Sequence, residues 1–476
     1  MTIGATTIDE LATLFEDTAR EVGAVGAQFS VQVGDERADF AYGVANAELE
    51  APMTVDAVTQ LGSTTKLFSA AIVMSVVDEG KLELDTPVTE YIPDLTLGAE
   101  RAPDTITLRR LLSMSAGLDF GPQSGPSGEN AIGRYIAEYL KDVPLSYEPG
   151  EGFGYSNASV CIAAHAAERV TGLSWDTLLK TRIFEPAGLK QAANAAGDLA
   201  YVRVAVGHAT AQDGQPLQVF RPWIDFEGQN PSGSGQTIAA SAHDLVEFGR
   251  MFLDGGTAAN GNRVLSEHAV KAMTTPTTTV LMPAPQWGMG AKWGLGPTVA
   301  DWGGAEAWGH AGSARGGSSL VLWFPEKAAV MAFTVNSPLV IEPFTIRMTG
   351  EVAESVLGVR APAPLAPPAD SLSVDHPERF VGAYARAGDR IEIVESDNGL
   401  RYREFNDEMV ERMREMGQEV DEGPLVDEDL VSFGGDKFIV GFPGFAHGIQ
   451  VFFFGEDPDG RATNVNLGFR TSRRIG

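Results

Sequence analysis

The chain holds a single cysteine, Cys161, in 476 residues, so no intramolecular disulfide can form and packing must carry the fold. Positive charge is also scarce: 35 Lys+Arg against 64 Asp+Glu leave −29 at neutral pH. Such a surface repels phosphate backbones and anionic lipid headgroups, which argues against nucleic acid and favours solubility. Long apolar runs are missing too. The strongest, Ala70 to Val77, is too short to span a bilayer, and Met1-Thr-Ile-Gly-Ala-Thr-Thr7 has neither the basic nor the apolar region of a signal peptide. The expectation is no membrane partner and a cytoplasmic location. Cys161 lies four residues before His165, a pair that could offer two ligands from one helix face, but no further Cys/His cluster accompanies it. A small buried hydrophobe is the expected role of Cys161, with no metal bound.

What is present reads as a globular chain of α+β class, 43% hydrophobic and 21% charged. Thr7-Ile-Asp-Glu10 reads as a capping box for a first amphipathic helix, and Phe29, Val31 and Val33 begin a hairpin that turns at Gly34-Asp35. The middle is helical, at Ser63 to Glu79, Thr107 to Leu112, Ala158 to Val170 and Ala242 to Phe252. Apolar strands return at Ser318 to Phe324 and Ala328 to Asn336, so one sheet is expected from both ends of this region. The proline-rich Ala361 to Ala369 predicts an extended linker. Beyond it, short strands at Phe380 to Ala385, Arg390 to Val394, Lys437 to Val440, Ile449 to Phe454 and Asn464 to Phe469 predict a small antiparallel barrel or sandwich.

Three segments carry chemistry. In Gly62-Ser63-Thr64-Thr65-Lys66, opening an apolar helix, positions i and i+3 share a face, so Ser63 Oγ and Lys66 Nζ can meet. A serine hydroxyl needs a base before it attacks, and a lysine desolvated at a helix N-terminus is driven towards its neutral, basic form. The plain alternative is a capping serine followed by a solvated lysine. Tyr155-Ser156-Asn157 offers a phenol to exchange protons and an amide to orient the lysine and a substrate carbonyl; alone it is a half-buried tyrosine beside a helix cap. Trp308-Gly-His-Ala-Gly-Ser313 precedes a strand, and its glycines let a backbone edge approach a ligand, though His310 by itself reads as a structural histidine.

In the order Ser63-x-x-Lys66, Tyr155-x-Asn157, His310-x-Gly312, the chain resembles the serine β-lactamase and penicillin-binding protein superfamily, most like its class C, esterase and D-aminopeptidase branch. Ile106 to Leu118 resembles a helix and turn of that family, and the likeness covers roughly residues 7–358. The resemblance implies a β-lactamase/transpeptidase-like domain over 1–358, with an antiparallel sheet flanked by helices and an all-α lobe; beyond it, the proline-rich stretch and the strand spacing place a linker at 359–371 and a small antiparallel barrel, expected to be lipocalin-like, over 372–476. It implies acyl transfer without a cofactor: Lys66 takes the Ser63 proton, the N–H groups of Ser63 and Ser313 hold the oxyanion, and Tyr155 protonates the leaving group, with Asn157, His310 and Gly312 around the substrate. Where true β-lactamases carry Lys-Thr-Gly this chain has His310-Ala-Gly312, a histidine giving a weaker, pH-dependent charge.

The leading expectation is a hydrolase of esters or small peptides, esterase- or D-aminopeptidase-like. The alternative is a penicillin-binding-protein-type thioesterase that releases and cyclises nonribosomal peptides, which adds a carrier-bound peptide to the small-molecule or peptidyl partners. A non-catalytic acyl-binding sensor is the third reading, and the intact Ser63, Lys66 and Tyr155 oppose it. The barrel is expected to narrow the cleft and select substrates. In the basic run Arg470 to Arg474, Arg470 is expected either to clamp a substrate carboxylate or to sit in a solvated cluster.

Overall fold

The computed structural model describes the chain except residues 1–2, 4, 123–124, 127, 195, 210–217, 221–231, 235–237, 315, 338–340, 367, 369–371, 408–409, 411–422 and 443–444. Helix α1 (Ala5–Glu21) begins two residues ahead of the expected capping box, so Thr7 lies inside it. Strands β1 (Gly26–Val33) and β2 (Glu36–Asn46) form the hairpin, and β3 (Ala51–Pro52) pairs with β2 at the edge. The helical region contains α2 (Thr65–Asp78), α3 (Leu108–Leu112), α4 (Asn157–Thr171) and α5 (Ala242–Leu253). Six strands follow: β4 (Thr278–Thr279), β5 (Lys292–Trp293), β6 (Thr298–Asp301), β7 (Glu306–Ala314), β8 (Gly317–Phe324) and β9 (Ala329–Val335).

These strands make one nine-stranded sheet in the order β3-β2-β1-β9-β8-β7-β6-β5-β4, and β1 pairs antiparallel with β9 from Ala27↔Val335 to Val33↔Ala329. Every residue of β1, β8 and β9 is buried, because the sheet is covered on both faces. Val321, Trp323, Val330 and Ala332 point into a core shared with α2, α4 and α5, while Leu320, Leu322, Met331 and Phe333 meet α1 and the helical segment 341–357 on the other face. Helix α2 is apolar all round and buried from Thr65 to Val76, the signature of a central helix. Its N-terminal end places Ser63 and Lys66 beside β7, an internal strand between β8 and β6.

Residues 359–366 form neither helix nor strand, and Ala361 and Leu365 pack against apolar clusters instead of standing free. The C-terminal region is a closed eight-stranded antiparallel barrel: β10 (Gly382–Arg386), β11 (Asp389–Ser396), β12 (Gly399–Phe405), β13 (Val426–Gly434), β14 (Lys437–Phe442), β15 (Phe445–Glu456), β16 (Ala462–Leu467) and β17 (Arg470–Arg474). Closure comes from β17, which pairs with β16 and with β10. The strand expected to run to Phe469 stops at Leu467, and Gly468-Phe469 form the turn, both with positive φ.

The barrel is docked by specific bonds. The Ala387 N–H donates to Asp119 Oδ2 at 2.8 Å, the Asn466 amide to the Phe153 carbonyl at 3.4 Å, and Tyr147 meets Phe454 edge-on at 5.5 Å. Glu342 accepts from Trp287 Nε1 at 3.0 Å and also pairs with His447 of β15.

Candidate active site

The nucleophile candidate sits on a tight 3-10 turn, Gly62–Thr64, feeding α2. The turn is bolted to the sheet: Thr64 Oγ1 donates to Ser319 Oγ at 2.8 Å, and Ser319 Oγ donates to the Leu61 carbonyl at 2.7 Å. The approach to β7 is closer than any side chain permits. A Cβ on Gly312 would stand 2.0 Å from the Leu61 carbonyl oxygen and 2.8 Å from the Ser63 nitrogen, and one on Gly62 would stand 2.2 Å from the Ser313 oxygen. The backbone of Ser63 thus lies beside that of Gly312-Ser313, the two sources of N–H groups expected for an oxyanion.

Lys66 Nζ donates to Ser63 Oγ at 3.1 Å and to the Ser234 carbonyl at 2.7 Å. With 1% of its surface exposed, Lys66 is desolvated, and burial, reinforced by the nearby Arg470 charge, pulls its pKa down to about 7. Nζ also lies 4.8 Å from the centre of the Tyr155 ring. Burial drives the Tyr155 pKa well above that of a free phenol, the opposing interaction with Ser63 being smaller. Its hydroxyl makes no well-formed hydrogen bond among the described residues, so that interaction is electrostatic contact rather than a formed bond.

The structure departs from the sequence expectations at Asn157 and His310 and adds detail at Ser156, Cys161 and His165. Asn157 makes no hydrogen bond to Lys66 among the described residues; the Ser234 carbonyl holds the ammonium, and Asn157 Oδ1 is buried without a partner in the same cavity. The helix cap is Ser156, whose Oγ accepts from Ser159 N at 3.0 Å. His310 does not supply a pH-dependent charge: at 1% exposure, burial and the Lys66 charge push its pKa down to about 3, and Nδ1 bonds to the Ala311 carbonyl. Cys161 is buried as expected, and burial pushes its thiol up to about 12 against the opposing pull of Ser234 and the Lys66 charge. His165 turns away to Glu168 at 2.9 Å.

A cavity of about 400 Å³ joins Ser63, Tyr155, Asn157, His310, Gly312 and Ser313 to the mouth of the barrel, where Phe442, Ile449, Leu467 and Arg470 line it. Within the basic run Arg473 is exposed, whereas Arg470 and Arg474 are engaged by the protein. Arg470 stacks on Phe120 at 4.0 Å and burial lowers its pKa to about 10, whereas Arg474 turns into the barrel and donates to the carbonyls of Ala462, Val381 and Arg379. Arg386 takes both Asp389 (2.9 Å) and Glu404 (3.0 Å), so Arg470 has no carboxylate within ion-pair distance among the described residues. Ser234 was not found by sequence reasoning, because a backbone carbonyl carries no residue signature.

Among the described residues no helix is long and apolar enough to cross a membrane. The family model for Beta-lactamase matches residues 11–347. Penicillin-binding protein 4 of Amycolatopsis lactamdurans is 31% identical over 79% of this chain and 96% of its own length. Esterase EstB of Burkholderia gladioli is 28% identical over 53% of this chain and 66% of its own. The crystal structure of SurE superposes with a TM-score of 0.75 at 26% identity, covering 98% of this chain and 99% of that one, and SurE has also been solved with D-Leu. A buried lysine bonded to a serine, a glycine-permitted backbone cradle and these relatives lead to one conclusion: the chain belongs to the β-lactamase family and is a serine hydrolase of the β-lactamase-like superfamily.

Proposed function

We propose that the chain transfers acyl groups through Ser63, cleaving ester or peptide donors and passing the acyl group to water. The observation that carries this reading is the 3.1 Å contact from Lys66 Nζ to Ser63 Oγ, with the lysine near neutrality at pH 7. Neutral Lys66 takes the hydroxyl proton as Ser63 Oγ attacks the carbonyl, and the N–H groups of Ser63 and Ser313 take the oxyanion. Tyr155, held protonated by burial, is the acid that delivers a proton to the leaving group, which leaves Lys66 as the base. Asn157 Oδ1 is free to accept from an N–H of the bound acyl chain. Residues 1–358 supply this chemistry and 372–476 the barrel that shapes access to it.

The esterase name of one relative and the D-Leu bound to SurE support ester and D-amino-acid donors. A second reading is favoured by the barrel residues in the same cavity: a penicillin-binding-protein-type thioesterase, in which an amine of a peptidyl chain, delivered on a carrier, displaces Ser63 and closes a macrocycle. In either case Arg470 binds a carboxylate or carbonyl of the substrate. The test is intact-mass spectrometry after exposure to ester, thioester and β-lactam panels. An acyl adduct that maps to Ser63 and vanishes in Ser63→Ala is expected, and an adduct elsewhere would remove the reading. An acid product identifies water as acceptor, and a cyclic product an internal amine.

A further inference from the structure

The backbone that carries Tyr155 is held from two sides. Gly154 N donates to the Met114 carbonyl at 2.9 Å, a contact within the helical lobe, but Tyr155 N donates at 2.7 Å to the carbonyl of Phe469, in the β16–β17 turn of the barrel. That turn is unusual. Gly468 has φ +51 and Phe469 φ +76, so a bulky residue occupies the left-handed region where glycine is at ease. A conformation of this kind persists only where the surroundings over-determine it. They do so here: the Phe469 ring is 6% exposed and stands edge-on to Phe153 at 6.3 Å and to Trp287 at 6.2 Å, inside the apolar cluster that also holds Tyr155 and Trp293.

We infer that Phe469 is a positioning residue for Tyr155: its ring, anchored between Phe153 and Trp287, fixes the carbonyl that sets the Tyr155 backbone, so the barrel is a structural part of the proton-donating apparatus. The barrel therefore does more than narrow the cleft. This inference rests on the proposed role of Tyr155 as proton donor to the leaving group. That role predicts where the effect must be felt. A p-nitrophenolate departs without a proton, whereas an alkoxide needs one, so misplacing Tyr155 penalises alkyl esters selectively.

The experiment compares the p-nitrophenyl and methyl esters of one N-acyl D-amino acid in full-length wild type, Phe469→Gly, Phe469→Leu, Tyr155→Phe and the Tyr155→Phe/Phe469→Gly double variant. Phe469→Gly relaxes the backbone and keeps the carbonyl while removing the ring. Its acylation rate on the methyl ester is expected to fall about 10-fold, with less than about a 2-fold change on the p-nitrophenyl ester, and Phe469→Leu to recover most of the loss. In the double variant Phe469→Gly should cost nothing beyond Tyr155→Phe, because it acts through that side chain. Equal losses on both esters, no loss on either, or full additivity in the double variant would overturn the inference. Should Phe469→Gly fail to fold, Phe469→Asn, which tolerates the left-handed backbone and likewise lacks the ring, carries the same comparison, and an undiminished methyl-ester rate in it overturns the inference. The two layers separate: if Tyr155→Phe keeps its methyl-ester rate, the reading of Tyr155 is wrong and the inference goes with it, whereas a damaged Tyr155→Phe beside an unaffected Phe469→Gly sinks only the inference.

Discussion

A lysine with 1% of its surface exposed, whose bonds reach a hydroxyl and a carbonyl but no carboxylate, is costly to keep charged. Two expectations follow from its pKa of about 7. The acid limb of the kcat/KM profile should have its midpoint near pH 7, rising towards higher pH as Lys66 loses its proton, and His310→Asn should leave that midpoint in place because His310 is neutral throughout this range. A midpoint that moves by about one pH unit in His310→Asn would assign the limb to the histidine instead. In the unfolded chain Lys66 titrates near 10.4, so between about pH 7 and 10 the unfolded state binds the extra proton and stability rises with pH. The stability advantage expected of Lys66→Met, about 1–4 kcal/mol at pH 6, should therefore shrink as denaturation is repeated up to pH 10. Ser63, Lys66 and Tyr155 were legible because residue type, spacing and order all agreed. Ser234 and the neutrality of His310 were not, since one acts through its backbone and the other is set by burial that no local pattern encodes.

Among the elements, β7 has little tolerance where it meets the nucleophile turn. Gly312→Ala would push a methyl group into the Leu61 carbonyl and the Ser63 nitrogen, backbone atoms that cannot rotate aside. The nucleophile turn must shift, and a loss of about 10²-fold in acylation is expected, close to the cost of losing one oxyanion donor, with a melting temperature lowered by overpacking. Retention of wild-type acylation would show that this cradle is not used. The sheet and long helices were readable because β1 alternates Phe29, Val31 and Val33 with polar residues, β8 and β9 are rich in apolar residues, α2 is a long apolar run, and α5 keeps its periodicity. The barrel was only half readable. Strands β12, β13 and β17 carry Arg401, Glu404, Asp427, Asp429, Arg470 and Arg474, and so many charged residues hide the alternation that marks a strand. The run ending the chain thus read as a basic cluster although it is the strand that closes the barrel.

At the scale of the molecule, one cavity is lined by residues from both ends of the chain, Ser63 on one side and Phe442, Ile449 and Leu467 on the other. Enlarging the barrel side should discriminate by acyl size: Ile449→Trp is expected to raise KM for a peptidyl ester or thioester about 10-fold while an acetyl ester is turned over as before. Equal turnover of both by the variant would make the barrel mouth a bystander in substrate choice. Removing the barrel is a poorer test, because the Tyr155 N–H would lose its Phe469 acceptor and the chemistry would change together with access. The pairing of β1 with β9 bears on how such a molecule is made. Val33 must find Ala329, and Ala27 must find Val335, across about 300 residues of chain. At 5–20 residues per second, a ribosome takes roughly 15–60 s to deliver the second strand after the first. During that interval β1, with Ala27, Phe29, Val31 and Val33 on one face and Gln28, Ser30 and Gln32 on the other, leaves its inner backbone edge unpaired, and the nucleophile is synthesised long before it has a sheet to stand on.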